Sequence, residues 1–170
     1  MSGELNYTAF RTRLGWVGVL GSGNGLLGVT LPQGSVQRAC QLLGDRVDCA
    51  VWSPHLFEGL TERLRAYFSG HIVAFPDELD LSMTTPFRRG VWEITKLIPY
   101  GDTRSYAWVA GQVGKPTAMR AVGQALARNP LPVIIPCHRV LGIDGRLGGY
   151  SGGVEVKQRL ILLEASACSR

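Results

Sequence analysis

The sequence predicts an α/β half followed by a mostly helical half. Three observations carry that prediction. The first thirty residues run in short apolar–polar alternations broken by glycine-rich turns, the pattern of a small sheet. Beyond Thr85 apolar residues recur at helical spacing, and two segments there read as short helices joined by a Gly-containing turn. Late in that half Cys137 stands between Pro136 and His138, behind the apolar run Val133-Ile134-Ile135 and ahead of a glycine-rich stretch, Gly142 to Gly153.

In chain order, residues 7–12, 15–20 and 26–30 read as strands, with Gly21-Ser22-Gly23-Asn24-Gly25 as the connection between the last two. That loop joins strand to strand and lacks a following Lys-Ser/Thr, so it reads as a turn rather than a phosphate cradle. Ser35 to Leu43 reads as a short helix closed by Gly44. Ser53-Pro54 offers an N-cap and an N1 proline for a helix to about Ser69, with Leu56, Leu60, Leu64 and Phe68 as its buried stripe and Gly70 as its stop. His55 and His71 read as surface or capping residues, and residues 72–83 as a linker between halves.

Thr85-Pro86 starts a helix to about Leu97, with Phe87, Val91, Ile94 and Leu97 inward. Ser105 caps a helix over 106–112, Gly114-Lys115-Pro116 turns the chain, and a second helix covers 117–128. Its small residues Ala118, Ala121 and Gly123, with Arg120 near its start and Arg128 at its end, suit close approach to a groove; packing on a neighbouring helix would use the same small residues. Asn129-Pro130-Leu131-Pro132 ends it, Asp144-Gly145 turns a small wing over 140–147, and a last helix covers about 154–165.

A chain of 170 residues with 45% apolar content suits one ordinary domain or two small ones. It shows no signal-peptide pattern and no apolar run of membrane length, which predicts a soluble, cytoplasmic protein. Four cysteines and three histidines lack metal-ligand spacing, so no zinc site is expected; a Cys40–Cys49 bridge stays open. The net charge of +5 is uneven: nine Lys or Arg between Phe87 and Arg146 face only Glu93, Asp102 and Asp144. That favours a polyanion, nucleic acid first.

A thiol needs a base to become a thiolate, and the base needs an orienting acceptor. His138 is adjacent to Cys137, but neighbours on an extended strand point oppositely. A relay between them therefore requires a turn or a bridging water. Glu164, among Leu160, Ile161, Leu162 and Leu163, is a carboxylate in apolar company that wants a partner.

At this point the residues resemble a known family, the O6-alkylguanine-DNA alkyltransferases (methylated-DNA–protein-cysteine methyltransferases). The resemblance runs from Thr85 to Glu164. It rests on Thr85-Pro86-Phe87, Ile98-Pro99-Tyr100-Gly101-Asp102-Thr103-Arg104-Ser105-Tyr106, Arg120-Ala121-Val122-Gly123, Asn129-Pro130, Ile135-Pro136-Cys137-His138-Arg139-Val140, Gly148-Gly149-Tyr150-Ser151-Gly152-Gly153 and Lys157. Before that, only Leu64 to Gly70 matches loosely.

The resemblance implies a ribonuclease-H-like α/β domain over 1–80 and a winged helix-turn-helix-like, DNA-binding and alkyl-acceptor domain over 85–170. It implies that Cys137 takes an alkyl group irreversibly from O6-alkylguanine, and also from O4-alkylthymine, in double-stranded DNA, with His138 and Glu164 activating it through a water. Asn129 would brace the turn. Tyr106 would crowd the target phosphate, and Arg120 would replace the flipped base. Tyr150 would donate to the leaving guanine, with Leu126, Pro132, Leu147 and Ser151 around the base. The protein would act as a monomer without a cofactor. The zinc ligands of some family members have no counterpart here. Two other readings stay open from the residues: a DNA-binding regulator with a sensor cysteine, and a cysteine hydrolase that turns over.

Overall fold

The computed structural model describes residues 3–170, in two compact units that divide between Ser82 and Met83. The first unit is built on a four-stranded sheet of order β3-β2-β1-β4, with β1 Asn6–Thr12, β2 Gly15–Ser22, β3 Gly25–Val29 and β4 Val51–Trp52. The first three are antiparallel neighbours, with Thr12 opposite Gly15 and Ser22 opposite Gly25, so two-residue turns close both hairpins. The sequence reading missed β4, which pairs parallel with β1 and makes the sheet mixed.

The helix α1 (Val36–Leu42) is capped by Ser35, whose side chain accepts from the Arg38 N–H. The expected single helix over 53–69 is two pieces. A 3₁₀ turn, Pro54–Phe57, precedes α2 (Glu58–Phe68). The tighter turn rotates the stripe, so Leu56 is 58% exposed and Phe57 is buried in its place. Nor does Ser53 cap the helix: its hydroxyl donates to Asn6 Oδ1 at 2.7 Å and to the Val51 carbonyl at 3.3 Å. Gly70, at φ 87°, ends α2, and the His71 N–H reaches back to the Ala66 carbonyl at 3.1 Å.

The segment read as a linker is instead laid along β3. Leu26 N–H donates to the Glu78 carbonyl and Asp80 N–H to the Leu26 carbonyl, both at 2.8 Å. Gly25 makes room for it, since a Cβ there would lie 2.5 Å from the Glu78 carbonyl oxygen. Ser22 donates to Asp80 at 2.6 Å, and Arg63 pairs with Asp77.

The second unit holds α3 (Pro86–Lys96), α4 (Tyr106–Gln112), α5 (Met119–Ala127) and α6 (Val154–Cys168), with a two-stranded parallel ribbon of β5 (Arg104–Ser105) and β6 (Val140–Leu141). Thr85 and Ser105 cap α3 and α4 as the sequence predicts. The inner face of α3 is Val91, Trp92 and Thr95 rather than a stripe reaching Leu97, which is 70% exposed. Two polar groups are buried there and both are satisfied: Trp92 Nε1–H donates to the Ala125 carbonyl at 2.9 Å and Thr95 Oγ1–H to the Val91 carbonyl at 2.7 Å. The wing differs from the expected hairpin. Asp144-Gly145 does turn the chain, with Gly142 N–H bonded to the Arg146 carbonyl, but Val140-Leu141 pairs parallel with β5 instead of across that turn. The helix α6 runs about one turn further than expected.

All four cysteines are unbridged, Cys40 and Cys49 included. Among the described residues no helix is long and apolar enough to cross a membrane.

Candidate active site

After α5 the chain must reverse and expose a side chain within a few residues, and Asn129 organises that reversal. Its Oδ1 accepts from the Leu131 N–H at 2.9 Å, and its Nδ2 donates to the Ile135 carbonyl at 2.8 Å and to Cys137 Sγ at 3.1 Å. Inside this clamp Val133 adopts φ 74°, a left-handed conformation that a β-branched residue resists by about 1–3 kcal/mol. Pro136, at φ −79° and ψ 63°, forms an inverse γ-turn, closed by the Cys137 N–H on the Ile135 carbonyl. A 3₁₀ turn follows, Cys137–Arg139, so Cys137 and His138 do not alternate as strand neighbours would.

Cys137 is buried, 5% exposed. Burial pushes its thiol up; the Asn129 amide, the Tyr150 hydroxyl and the Lys157 charge pull down without cancelling it. At rest it is therefore a thiol. Tyr150 turns its hydroxyl towards that sulfur without a hydrogen bond of regular geometry. Burial, and the negative charge the sulfur would carry as a thiolate, push the phenol far above its ordinary value, so it keeps its proton.

Behind the cysteine lies a charged chain. His138 is fully buried, and its Nε2 lies 2.7 Å from Glu164 Oε1. Burial would raise the Glu164 carboxyl, but hydrogen bonds from His138 and Arg139 outweigh it and hold the acid at about 2. Glu164 is thus ionised and accepts the Nε2–H, which leaves Nδ1 as the basic ring nitrogen. Arg139 adds Nε–H and Nη2–H donations to the same carboxylate at 2.9 Å each, and the Gly101 N–H donates to Oε2 at 3.1 Å.

Sequence reasoning gave Arg139 and Lys157 no role in the site. Both had a legible signal. Lys157, Leu160 and Glu164 share one helical face of α6, and all three are buried. Two charges on an otherwise apolar stripe ask for partners. Arg139 is the cation that Glu164 lacked. Lys157 donates to Tyr106 Oη at 3.3 Å and lies 5.6 Å and 5.9 Å from the ring centres of Tyr106 and Tyr150. Burial lowers its ammonium to about 8, partly offset by the charge a Cys137 thiolate would carry.

A cleft of about 870 Å³ is bordered by Tyr106 and Tyr150, the two rings against Lys157, while Cys137, His138 and Glu164 do not line it. Tyr106, Arg120, Gly123, Tyr150 and Ser151 line it, as does the turn from Gly142 to Arg146. Gly148, at φ 64°, also lines it, and a Cβ there would lie 2.9 Å from the Tyr106 hydroxyl. Of the other expected residues, Ala118 is half-buried just before α5 and Ala121 half-buried on it, Arg128 is exposed at its end and Leu126 is buried in the helix packing. Pro132 and Leu147 are half-buried. None of these six lines the cleft. Among the described residues no cluster of three or more His, Cys, Asp or Glu could hold a metal ion.

The fold and site define a class: proteins that hold a buried cysteine next in sequence to a buried histidine–carboxylate pair. Comparison narrows the class. The 6-O-methylguanine DNA methyltransferase, DNA binding domain, matches residues 86–166. A methylated-DNA–protein-cysteine methyltransferase of Methanosarcina acetivorans is 37% identical over 94% of this chain and 98% of its own. One from Mycolicibacterium paratuberculosis is 49% identical over 66% of this chain and 67% of its own. Among solved structures, the Mycobacterium tuberculosis O6-methylguanine methyltransferase superposes with a TM-score of 0.81 at 37% identity, covering 96% of this chain and 94% of that one. The Mycobacterium tuberculosis OGT in complex with DNA superposes at 0.80 with 39% identity, covering 95% of this chain and 94% of that one. This chain belongs to the methylated-DNA–protein-cysteine methyltransferase family.

Proposed function

We propose that this protein repairs double-stranded DNA by direct reversal, moving the alkyl group of O6-alkylguanine, and of O4-alkylthymine to a lesser degree, onto its own Cys137. The observation that carries the reading is the site itself: a buried thiol donated to by Asn129, faced by Tyr150 and backed by His138–Glu164. The activity that names the family fits that chemistry.

The base inside a duplex is out of reach, so it must leave the stack at a cost of a few kcal/mol. Arg120, exposed at the start of α5, fills the gap, and the small residues Ala118, Ala121 and Gly123 let the helix approach a narrow groove. Arg128 adds a phosphate contact, and Tyr106 crowds the target nucleotide. The flipped base enters the cleft beside Tyr150 and Ser151, while Leu126, Pro132 and Leu147, outside its lining, act only as support for the walls. His138 Nδ1 takes the thiol proton through a water. Sγ then attacks the alkyl carbon, the C–O6 bond breaks, and its electron pair stays with guanine. Tyr150 donates a proton to the departing base and recovers one from His138. Thiol and alkylguanine become thioether and guanine, with atoms and charge balanced. No group in the site can remove an alkyl group from a thioether, so each molecule acts once.

In this reading the first unit is a ribonuclease-H-like domain. The second is a winged helix-turn-helix-like domain in which α5 is the groove helix and the turn at Asp144-Gly145 the wing. The protein works as a monomer, in the cytoplasm or on the nucleoid, without metal or cofactor. The test is intact mass after incubation with a duplex holding one O6-methylguanine. A gain of roughly 14 Da mapped to Cys137 supports the reading. Unchanged mass, or methyl on another cysteine, refutes it.

A further inference from the structure

Arg139 takes part in no step above, yet no residue is tied more firmly to the relay. Its Nε donates to Glu164 Oε2 at 2.9 Å and Oε1 at 3.2 Å, its Nη2 to Oε1 at 2.9 Å and its Nη1 to the Ile98 carbonyl at 2.7 Å. Oε1 is the oxygen that also receives His138. One buried carboxylate therefore serves two partners. In a low-dielectric interior, a histidine alone with a carboxylate is drawn towards imidazolium, because nothing else compensates the negative charge. An imidazolium has no lone pair and cannot accept a thiol proton. A guanidinium is charged at every working pH and its planar fork matches a carboxylate.

We infer that Arg139 is a positioning residue for the transfer: by saturating Glu164 with a permanent charge and a fixed fork, it keeps His138 as the neutral Nε2–H tautomer, ready to accept a proton at Nδ1. This rests on the alkyl-transfer reading of the site. The groups around His138 agree. Burial and the charges of Arg139 and of Lys157 on α6 hold it below its ordinary value, against the pull of Glu164 on the same helix. Cys137 precedes it in the same 3₁₀ turn. Tyr100, whose ring lies 5.5 Å beneath the Arg139 guanidinium, and Tyr150 also feel the Glu164 charge.

The experiment joins an NMR titration of the His138 ring in the unaltered protein to the pH dependence of single-turnover transfer from an O6-methylguanine duplex. R139M, R139Q and R139K are compared with the unaltered chain. The expected result is a ring that carries its proton on Nε2 and titrates below the ordinary value. The acid limb of the rate profile should rise by roughly one pH unit in R139M and R139Q and return in R139K. A limb that stays in place in both neutral variants, with the rate lowered equally at every pH, would make Arg139 a strut and overturn the inference. If those variants do not fold, the unaltered protein decides: a His138 ring titrating at or above about 6.5 overturns it. If the unaltered protein transfers nothing to Cys137, the reading of the site fails, while the ring titration still judges Arg139.

Discussion

Replacing Asn129 with Ala removes three hydrogen bonds at once, those to Leu131, Ile135 and Cys137. At about 1 kcal/mol each, that is roughly 3 kcal/mol of lost stability. The same change frees Val133 from its φ of 74°, and relief of that strain returns about 1 kcal/mol. The net loss of about 2 kcal/mol should lower the midpoint of the second unit by on the order of 10 °C, followed by circular dichroism. Chemistry should suffer separately. The Asn129 amide donates to sulfur, and a bond to a charged acceptor contributes about 1.5–3 kcal/mol, so single-turnover transfer should slow about ten- to a hundredfold. Asn129→Asp separates the two effects. It keeps the acceptor for the Leu131 N–H but sets a carboxylate where the amide nitrogen lies 3.1 Å from sulfur. Transfer should then fall below that of the Ala variant although the fold loses less. An Ala variant that melts within 2 °C of the parent and transfers within about twofold would refute the brace. An Asp variant as reactive as the Ala one would refute the electrostatic part.

Other consequences follow from the same geometry. Lys157→Met removes a buried ammonium that burial has lowered to about 8, so it should raise thermal stability by on the order of 2 kcal/mol near neutral pH while slowing transfer; a variant both less stable and fully reactive would contradict this. Gly148→Ala forces a Cβ against the Tyr106 hydroxyl at a positive φ and should cost about 1–3 kcal/mol, with a lower midpoint and slower transfer as the readout. The Glu164 carboxyl is held at about 2, below its unfolded value near 4.5, so its contribution is complete above that value and is lost as pH falls through about 2. Acid unfolding should therefore show a loss of on the order of 3 kcal/mol that Glu164→Gln no longer shows.

Most capping and stop signals are legible in the chain, and long-range pairings are not. The Thr85 and Ser105 caps and the stop at Gly70 depend on neighbours in sequence, and each is where the residues place it. Leu56 failed because spacing alone cannot tell a 3₁₀ first turn from an α one. β4 is two residues long, and its partner lies more than forty residues earlier, so no local pattern announces it. The wing failed for a similar reason: Asp144-Gly145 marks a turn correctly, but the pairing of Val140 with Arg104 is non-local. At the site, Asn129, Cys137, His138 and Glu164 carry polar groups whose need for partners is visible in the chain. Arg139 was overlooked because its partner is 25 residues away and it reads as one more basic residue in a basic half.

The central claim is that Cys137 is an acceptor used once. The most direct measurement supplies limiting protein with excess O6-methylguanine duplex and counts restored guanine over time. The account predicts a plateau at one guanine per protein molecule, with the methyl group on the Cys137 peptide. Restoration that continues past one equivalent, with Cys137 unmodified, would contradict it.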